Sequence, residues 1–506
     1  MCLWPRGKCL GGSSAINYMA YVRGSSKDFD LWETMGAKGW GWKDVLPLFL
    51  KSECNENIRE ALNLPVEGLT LNPEFHGTKG PLSISSNPTP GPIPQAFVKG
   101  ATEMGFRQAD YNAGDMELTT SVFQQTIRGG RRADTATCFL FADDRQFANL
   151  TVVVNAQATS VIFDESKSRV LGVEFEDIKA KNGDRLQIFA EKEVILSCGA
   201  IGSPQLLLLS GIGPKNDLEK IGIDCVIDAP EVGKNLEDHL MGLLLCRPAK
   251  KDIGATNEGR VTGFPWGILN LLKWMIFGNG LHATSAYDAT MFYTTESQKA
   301  SDPAFGPDAQ IGIFCSPADE VVTQKNIGFL PEKDFFSEIY SQPDAQGALL
   351  IPTILHMHSK GTIELKSSDP FDKPKINPNY FEDQRDADRM VDILKKSFEL
   401  TKTNAMKEIV SGVLLPEDML SKHNGQCSDE FWEEYARNYC STIYHPTSTC
   451  AIGKVVDPSL RVFEMNGLRV ADASVFPTIV SGNTNAAAIM VGEKMAEIIA
   501  TENGWS

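Results

Sequence analysis

Short apolar runs separated by polar turns dominate one stretch of the chain, between residues 148 and 200. After the last run, Gly199–Gly202 turns sharply, and Ser203 and Pro204 suit the cap and first position of a helix. Strand, turn and helix in this order indicate an α/β unit. The β-branched and apolar runs predict strands at Leu150–Ala156, Ser160–Asp164, Val170–Glu176, Leu186–Ala190 and Glu193–Ser197.

The remaining chain shows two further patterns. Residues 246–440 hold scattered prolines, aromatic clusters and one helix, predicted at Asp386–Thr401 by its apolar stripe. After residue 441 the α/β pattern returns, with a strand at Leu468–Val475 and a helix at Ala486–Thr501. The α/β pattern occurs before residue 246 and again after residue 441, and the sequence between these regions has a different pattern. This arrangement predicts a discontinuous domain with a second domain inserted into it.

Bulk properties narrow the function. A chain of 506 residues is too long for one compact core, which favours two domains. Its net charge of −17 argues against nucleic acid and anionic membranes as partners, because both attract basic surfaces. No apolar run approaches the roughly 18–20 residues of a transmembrane helix. The eleven cysteines form no C-x-x-C pair or zinc pattern, so we expect reduced thiols and no metal site.

Two glycine-rich segments suit close contact with a ligand. Gly11 and Gly12 let the backbone approach a ligand, and the residues after them can open a helix whose free N–H groups favour phosphate or an electron-rich flavin. Taken alone, this segment is also compatible with an ordinary glycine turn. Gly199–Gly213 is likewise compatible with a packed strand–turn–helix unit that has no ligand.

A third segment brings a histidine together with amide side chains. His445 precedes Pro446, which favours an extended backbone, and Gly482–Asn485 places two amides at a helix start. A histidine of near-neutral pKa can accept a hydroxyl proton. A lone histidine is more often structural, and we interpret the other six in that way.

Taken together, these segments resemble the glucose-methanol-choline oxidoreductases, a family of FAD-dependent alcohol oxidases and dehydrogenases. Both family signatures match in full, at Gly7–Gly24, continued to Asp30, and at Gly199–Gly213. Because the likenesses fall in one order over almost the whole chain, they outweigh the alternative for each segment alone. Further likenesses are found at Gly39–Trp42, Phe75–Gly77, Val232–His239, Pro378–Phe381 and Leu468–Glu493.

The resemblance implies the fold and the domains. The expected class is mixed α/β, with a Rossmann-like FAD-binding domain interleaved with a substrate domain built on an antiparallel sheet with helices. The FAD-binding domain would comprise residues 1–50, 148–245 and 441–506, and the substrate domain residues 51–147 and 246–440.

The resemblance also implies roles for individual residues. His445 matches the catalytic base and Asn483 its partner, so His445 would take the hydroxyl proton while hydride passes from the alcohol carbon to flavin N5. The predicted cofactor contacts are Gly11, Gly12, Ser13 and Asn17 at the flavin and pyrophosphate, Ala158 at the adenine, Asp472 and Ala473 near the ribityl chain and isoalloxazine, and Asn483 and Thr484 at the pyrimidine end.

Two departures from the family pattern matter. No strand followed by G-x-G-x-x-G occurs, so we predict an FAD-binding domain truncated at its N-terminus. We expect that this unit is missing from the sequence record; the alternatives are a non-catalytic relative that does not hold FAD and a fragment that cannot fold alone. Gly278–His282 stands where many relatives have Gly-Pro-Leu, so no substrate preference is carried over. Which alcohol is oxidised, and whether oxygen or a quinone accepts the electrons, stays open.

Overall fold

The computed structural model describes residues 3–59, 67–87, 90–142, 147–179, 183–249, 266–301, 306–315 and 348–505. Helices and strands are mixed along the chain, which confirms the mixed α/β class. The α-helices of these residues are α1 (Ser26–Thr34), α2 (Trp42–Ser52), α3 (Glu56–Arg59), α4 (Pro92–Glu103), α5 (Gly199–Leu209), α6 (Lys215–Lys220), α7 (Trp266–Phe277), α8 (Glu296–Ser301), α9 (Gln384–Leu400), α10 (Asn404–Lys407), α11 (Glu417–Lys422), α12 (Asp429–Tyr439) and α13 (Asn485–Asn503).

The strands are numbered in the same way. They are β1 (Glu53–Asn55), β2 (Leu82–Ser86), β3 (Arg107–Gln108), β4 (Thr119–Val122), β5 (Gln124–Gln125), β6 (Ile127–Arg128), β7 (Arg131–Arg132), β8 (Ala156–Phe163), β9 (Val170–Asp177), β10 (Arg185–Phe189), β11 (Val194–Leu196), β12 (Ile212–Gly213), β13 (Ile227–Asp228), β14 (Leu240–Met241), β15 (Leu244–Pro248), β16 (Tyr287–Tyr293), β17 (Ala309–Phe314), β18 (Leu349–Ile354), β19 (Thr362–Glu364), β20 (Lys375–Asn377), β21 (Val410–Val413), β22 (Ser441–Thr442) and β23 (Leu468–Val470).

The largest sheet of the described residues has nine strands. Seven run in the order β21-β15-β18-β17-β16-β4-β3, and β14 pairs with both β18 and β22. Every pair is antiparallel except β3 with β4. Helices α4 and α9 pack against this sheet. Tyr287 pairs with Phe314, which pairs with Leu349, so these three side chains lie side by side on neighbouring strands.

A second core contains smaller sheets and the last helix. Strands β11 and β23 pair in parallel, and β8, β9 and β10 form an antiparallel sheet. Apolar residues of α2, α5 and α13 pack with β11 and β23 in one buried cluster, separate from the cluster of the nine-stranded sheet. The domain boundaries given above stay a prediction.

Three local predictions are wrong. The strand predicted at Leu468–Val475 ends at Val470, and Ala473–Val475 forms a 3₁₀-helix that the Asp472 side chain caps. Leu150–Val154 forms no strand, and Val153 is 54% exposed, because a strand needs a hydrogen-bonded partner and no described strand lies beside it. The helix predicted after Ser203 begins at Gly199 instead. Gly199 has a φ of +79°, a conformation that glycine adopts without strain, and Ser203 lies inside the helix.

Residues of the first helix, α1, bind the loop that precedes the last helix, α13. The Asp28 carboxylate accepts hydrogen bonds from the Ser481 backbone N–H (2.6 Å) and hydroxyl (2.8 Å), and from the backbone N–H of Ser25 (2.8 Å). The Trp32 indole N–H donates to the Thr478 carbonyl at 2.9 Å. All of these side chains are buried, so residues distant in sequence hold this loop in one position.

Candidate active site

One cavity of about 430 Å³ gathers most of the residues that the sequence singles out. Ser13 and Asn17 line it from the first glycine segment, and Ala473, Asn483 and His445 from the last segment. Thr484 lines the same cavity. The nine-stranded sheet supplies much of the opposite wall through Met241, Tyr287, Phe314, Leu349 and Ile351.

His445 and Asn483 face each other at the cavity wall. The Asn483 side-chain nitrogen Nδ2 lies 3.2 Å from Nε2 of His445. The Asn483 side-chain oxygen is buried and has no hydrogen-bond partner in the described part of the chain. The structure therefore brings together the two residues that the sequence predicts to be catalytic. It also leaves one amide oxygen available to bind a ligand.

His239 determines which nitrogen of His445 carries the proton. His239 is buried, and its Nε2 lies 3.1 Å from the Val480 carbonyl oxygen, which can only accept. Burial and the neighbouring His445 lower the pKa of His239 well below its usual value, so the ring is neutral. A neutral His239 that donates from Nε2 must accept at Nδ1.

The partner of that acceptor is Nδ1 of His445, at 2.9 Å. The proton of neutral His445 therefore sits on Nδ1, and the lone pair on its Nε2 accepts from the Asn483 amide Nδ2–H at 3.2 Å. A lone pair at this position can accept a proton from a hydroxyl group in the cavity.

Sheet pairing and one carboxylate hold the two imidazoles in place. Strand β14 begins directly after His239 and pairs with β22, which ends shortly before His445. The Ile443 N–H donates to the His239 carbonyl at 3.1 Å. The Asp238 carboxylate accepts from the His445 backbone N–H at 2.7 Å and from the hydroxyl of Tyr380. His445 therefore has a fixed backbone as well as a fixed ring.

The pKa values in the site keep His445 neutral. Burial, and then the positive charge of Arg6, lower the pKa of His445 to about 3. Burial raises the pKa of Asp238 to about 6, although four hydrogen-bond donors favour its carboxylate. The group that titrates closest to neutral pH is thus Asp238, which holds His445, and not His445 itself.

We expect any reaction that uses His445 as a base to slow as the pH is lowered through about 6, where Asp238 becomes protonated and binds the His445 N–H less tightly. His445 stays neutral over this range because its pKa is about 3. The measurement is the pH profile of kcat/KM for the parent protein and for Asp238→Asn. In the variant, kcat/KM should no longer fall on the acidic side of the profile. If the acidic fall is unchanged in the variant, a group other than Asp238 causes it.

The first glycine segment forms a tight turn beside the cavity. Gly11 and Gly12 have φ values of +85° and +54°, and a Cβ atom on Gly12 would meet nothing within 4 Å. The Ser13 hydroxyl oxygen accepts from the Gly7 N–H at 3.3 Å, and the Asn17 side-chain oxygen accepts from Arg132 at 2.8 Å. Ser13 and Asn17 line the cavity, and the open space at Gly12 allows a ligand to approach its backbone.

The remaining predicted contacts lie at different distances from the cavity. Asp472 is not on its wall, and its carboxylate binds the Gly199 N–H (2.9 Å), the Ser203 hydroxyl (2.5 Å) and the Ser474 N–H (2.7 Å). Ala158 lies in β8 opposite Phe175 and is also off the wall.

No local sequence pattern indicates a role for His239 or Asp238. Their partner His445 lies more than 200 residues further along the chain, and no local pattern shows that contact. The available signal was their position at the end of the Val232–His239 segment, which already resembled the family.

The comparisons with known proteins identify the family of the chain. Family models described as "GMC oxidoreductase" match residues 1–241 and 357–492. The chain belongs to the GMC oxidoreductase family. The glucose dehydrogenase [FAD, quinone] of Drosophila melanogaster is 32% identical, over 98% of this chain and 75% of the relative. The alcohol dehydrogenase [acceptor] of Pseudomonas putida is 33% identical, over 98% and 82%.

A solved structure agrees at the level of the fold. Aspergillus oryzae formate oxidase superposes with a TM-score of 0.83 at 26% identity, over 99% of this chain and 85% of that one. GMC relatives and structural neighbours are FAD-dependent, which bears out the predicted cofactor.

The cavity residues fit the flavin end of FAD. Ile16, Ala473 and Ala488 offer apolar surface to a flat ring, and Asn483 offers its unpartnered oxygen to a polar edge. Thr484 stands at the start of α13 without a side-chain cap, so the helix presents free N–H groups and a partial positive charge to an electron-rich ring.

Two further findings concern metals and membranes. Across the described residues, no group of three or more histidine, cysteine or acidic side chains is arranged to hold a metal ion. In the same part of the chain, no helix combines the length and the apolar character needed to span a bilayer.

Proposed function

We propose that this protein is an FAD-dependent oxidoreductase that oxidises the CH–OH group of an alcohol, with His445 as the base. The observation that carries the proposal is the unprotonated Nε2 of His445 on the cavity wall, whose lone pair accepts from the Asn483 amide until a substrate hydroxyl takes its place. Ser13, Asn17, Ala473, Asn483 and Thr484 would hold the flavin end of FAD, which supplies the hydride acceptor.

The side chains of this chain then have separate tasks. The alcohol hydroxyl donates to Nε2 of His445, and the Asn483 amide N–H donates to the alcohol oxygen, which fixes the position of the reacting carbon. As His445 accepts the hydroxyl proton, the C–H bond of the developing alkoxide becomes a better hydride donor. His239 holds the Nδ1 proton of His445 throughout, so the proton moves only at Nε2.

The side chains that line the cavity fit an alcohol whose carbon skeleton is apolar. Tyr18, Phe314, Leu349, Ile351 and Ile443 face the ligand space. None of the described residues that line the cavity is a carboxylate, and the nearby positive charge of Arg6 already lowers the pKa of His445. A cationic alcohol would meet repulsion here, and a sugar would leave several hydroxyls without partners.

Two phenol groups allow one polar substituent on this substrate. The hydroxyl oxygens of Tyr18 and Tyr287 are buried and have no hydrogen-bond partner among the described residues. Each hydroxyl can donate a hydrogen bond to an ether or carbonyl oxygen of a bound alcohol. Aryl alcohols and medium-chain aliphatic alcohols therefore fit better than glucose or choline.

A substrate panel tests both parts of the proposal. With FAD bound, we expect kcat/KM for benzyl alcohol or octanol to exceed that for glucose or choline at least about 100-fold, since each unmatched polar group costs roughly 1–3 kcal/mol. Ile351→Thr should reduce this preference, and Ile409→Thr, half-buried and off the cavity wall, serves as the matched control.

The two parts fail in different ways. If choline or glucose reacts as well as benzyl alcohol, the apolar substrate class is wrong while the alcohol oxidation stands. If no alcohol in the panel reduces the bound flavin, the catalytic function itself is wrong.

A further inference from the structure

Helix α7 carries large apolar side chains on its solvent side. Their exposed fractions range from 43% to 70%, and a soluble protein rarely exposes so many large apolar side chains together. They are Ile268, Leu269, Leu271, Leu272, Met275, Ile276 and Phe277.

The opposite side of α7 fixes the rotation of the helix. The Trp274 indole N–H donates to the Gly130 carbonyl at 2.7 Å, and the Arg131 guanidinium lies 5.5 Å from the centre of the Trp274 ring. At the end of the helix, a Cβ atom on Gly278 would lie 2.4 Å from the Gly129 carbonyl oxygen, so this close approach requires glycine. The polar and aromatic contacts therefore point inward, and the apolar stripe points outward.

The exposed residues follow the spacing of one helix face. Ile268, Leu272, Met275 and Ile276 stand at positions i, i+4, i+7 and i+8, which form a continuous stripe. In a helix packed on its own protein this stripe would point to the core. Here it forms a surface that water solvates poorly.

The charges around this stripe are opposite in sign to the net charge of the chain. Helix α7 contains no acidic residue, and Lys273 is exposed. Arg128 and Arg131, on the hairpin that contacts the helix, are also exposed. The chain as a whole carries −17, but charges more than about 10 Å away are largely screened at physiological salt. A surface approaching α7 therefore meets apolar side chains with a basic rim.

We propose that this face of α7 docks on a lipid surface that contains anionic headgroups. An apolar stripe with basic side chains beside it is the pattern of helices that lie in the membrane interface. A second copy of the chain fits less well, because a two-fold contact through α7 would bring two basic rims together. The prediction from net charge alone, which disfavoured anionic membranes, does not describe this local surface.

Vesicle sedimentation of the full chain tests this proposal. Vesicles of phosphatidylcholine with phosphatidylserine should bind the parent protein, and phosphatidylcholine alone should bind it more weakly. The double variant Leu272→Glu, Ile276→Glu should bind at least about tenfold more weakly, because it removes two apolar side chains that docking would bury. Phe371→Glu, at a site 49% exposed elsewhere on the chain, is the matched control and should bind like the parent.

Three results would overturn the proposal. The parent chain could fail to sediment with either kind of vesicle. The double variant could bind as well as the parent while keeping the same thermal unfolding midpoint. Light scattering could also reveal a dimer that the double variant dissociates, which would assign the stripe to a second copy.

Discussion

Replacing His445 with alanine should slow reduction of the bound flavin by an alcohol at least about 100-fold, since a positioned general base contributes roughly 10²–10⁴-fold. The variant loses the lone pair that faces Asn483, while the Asp238 contact with the backbone N–H of residue 445 is retained. Anaerobic stopped-flow measurement of the flavin absorbance gives this rate directly.

His423→Ala is the matched control for that variant. His423 is paired with Glu434 at 2.9 Å on the outside of the protein, away from the cavity. Its flavin reduction rate should equal that of the parent. Near-normal reduction by His445→Ala would remove His445 from the mechanism.

Replacing His239 should have the next largest effect, although His239 is a positioning residue and does not line the cavity. His239→Leu removes the acceptor for His445 Nδ1–H, so the proton can move to Nε2 and occupy the lone pair that the alcohol needs. We expect flavin reduction to slow at least about tenfold, given that a wrongly held histidine tautomer costs up to about 10⁴-fold in the serine proteases.

The conservative variant His239→Asn separates this role from a loss of packing. The Asn side chain can accept from His445 Nδ1 through its oxygen, so most of the rate should return. Nitrogen NMR of labelled histidine should show the Nδ1–H form of His445 in the parent and a mixture in His239→Leu. If Leu and Asn variants are equally slow, with the parent tautomer retained in both, His239 contributes only packing.

The sequence predicted the two residues at the centre of this site, but not the residues that hold them in position. His445 and Asn483 were found because both lie in segments that match the family, and the structure brings them within 3.2 Å. His239 was missed because its role depends on a tertiary contact across β14 and β22 that no periodicity reveals. Local motifs indicate which groups are present, whereas proton positions depend on partners that only the fold supplies.

The secondary structure shows the same limit. The strands β9 and β10 lie close to their predicted positions, because each pairs with a neighbour along the chain. Leu150–Val154 has the same β-branched character but has no described partner strand, and it stays exposed and unpaired. Apolar pattern predicts where a strand can form, and the availability of a partner decides whether it does.

Surface properties were the least predictable from sequence. The apolar stripe of α7 resembles a core helix in sequence, and only the orientation of Trp274 shows that the stripe points outward. The net charge of the whole chain is negative, so it does not reveal the local basic side chains Lys273 and Arg131 beside this helix. Both properties depend on which side of an element faces its own protein.

The most direct measurement is a crystal structure of the full chain with FAD and a bound apolar alcohol or its unreactive analogue. We expect the alcohol oxygen within hydrogen-bonding distance of both His445 Nε2 and Asn483 Nδ2, with His239 Nδ1 still about 2.9 Å from His445 Nδ1. An alcohol bound elsewhere, or a flavin ring far from this histidine and this amide, would contradict it.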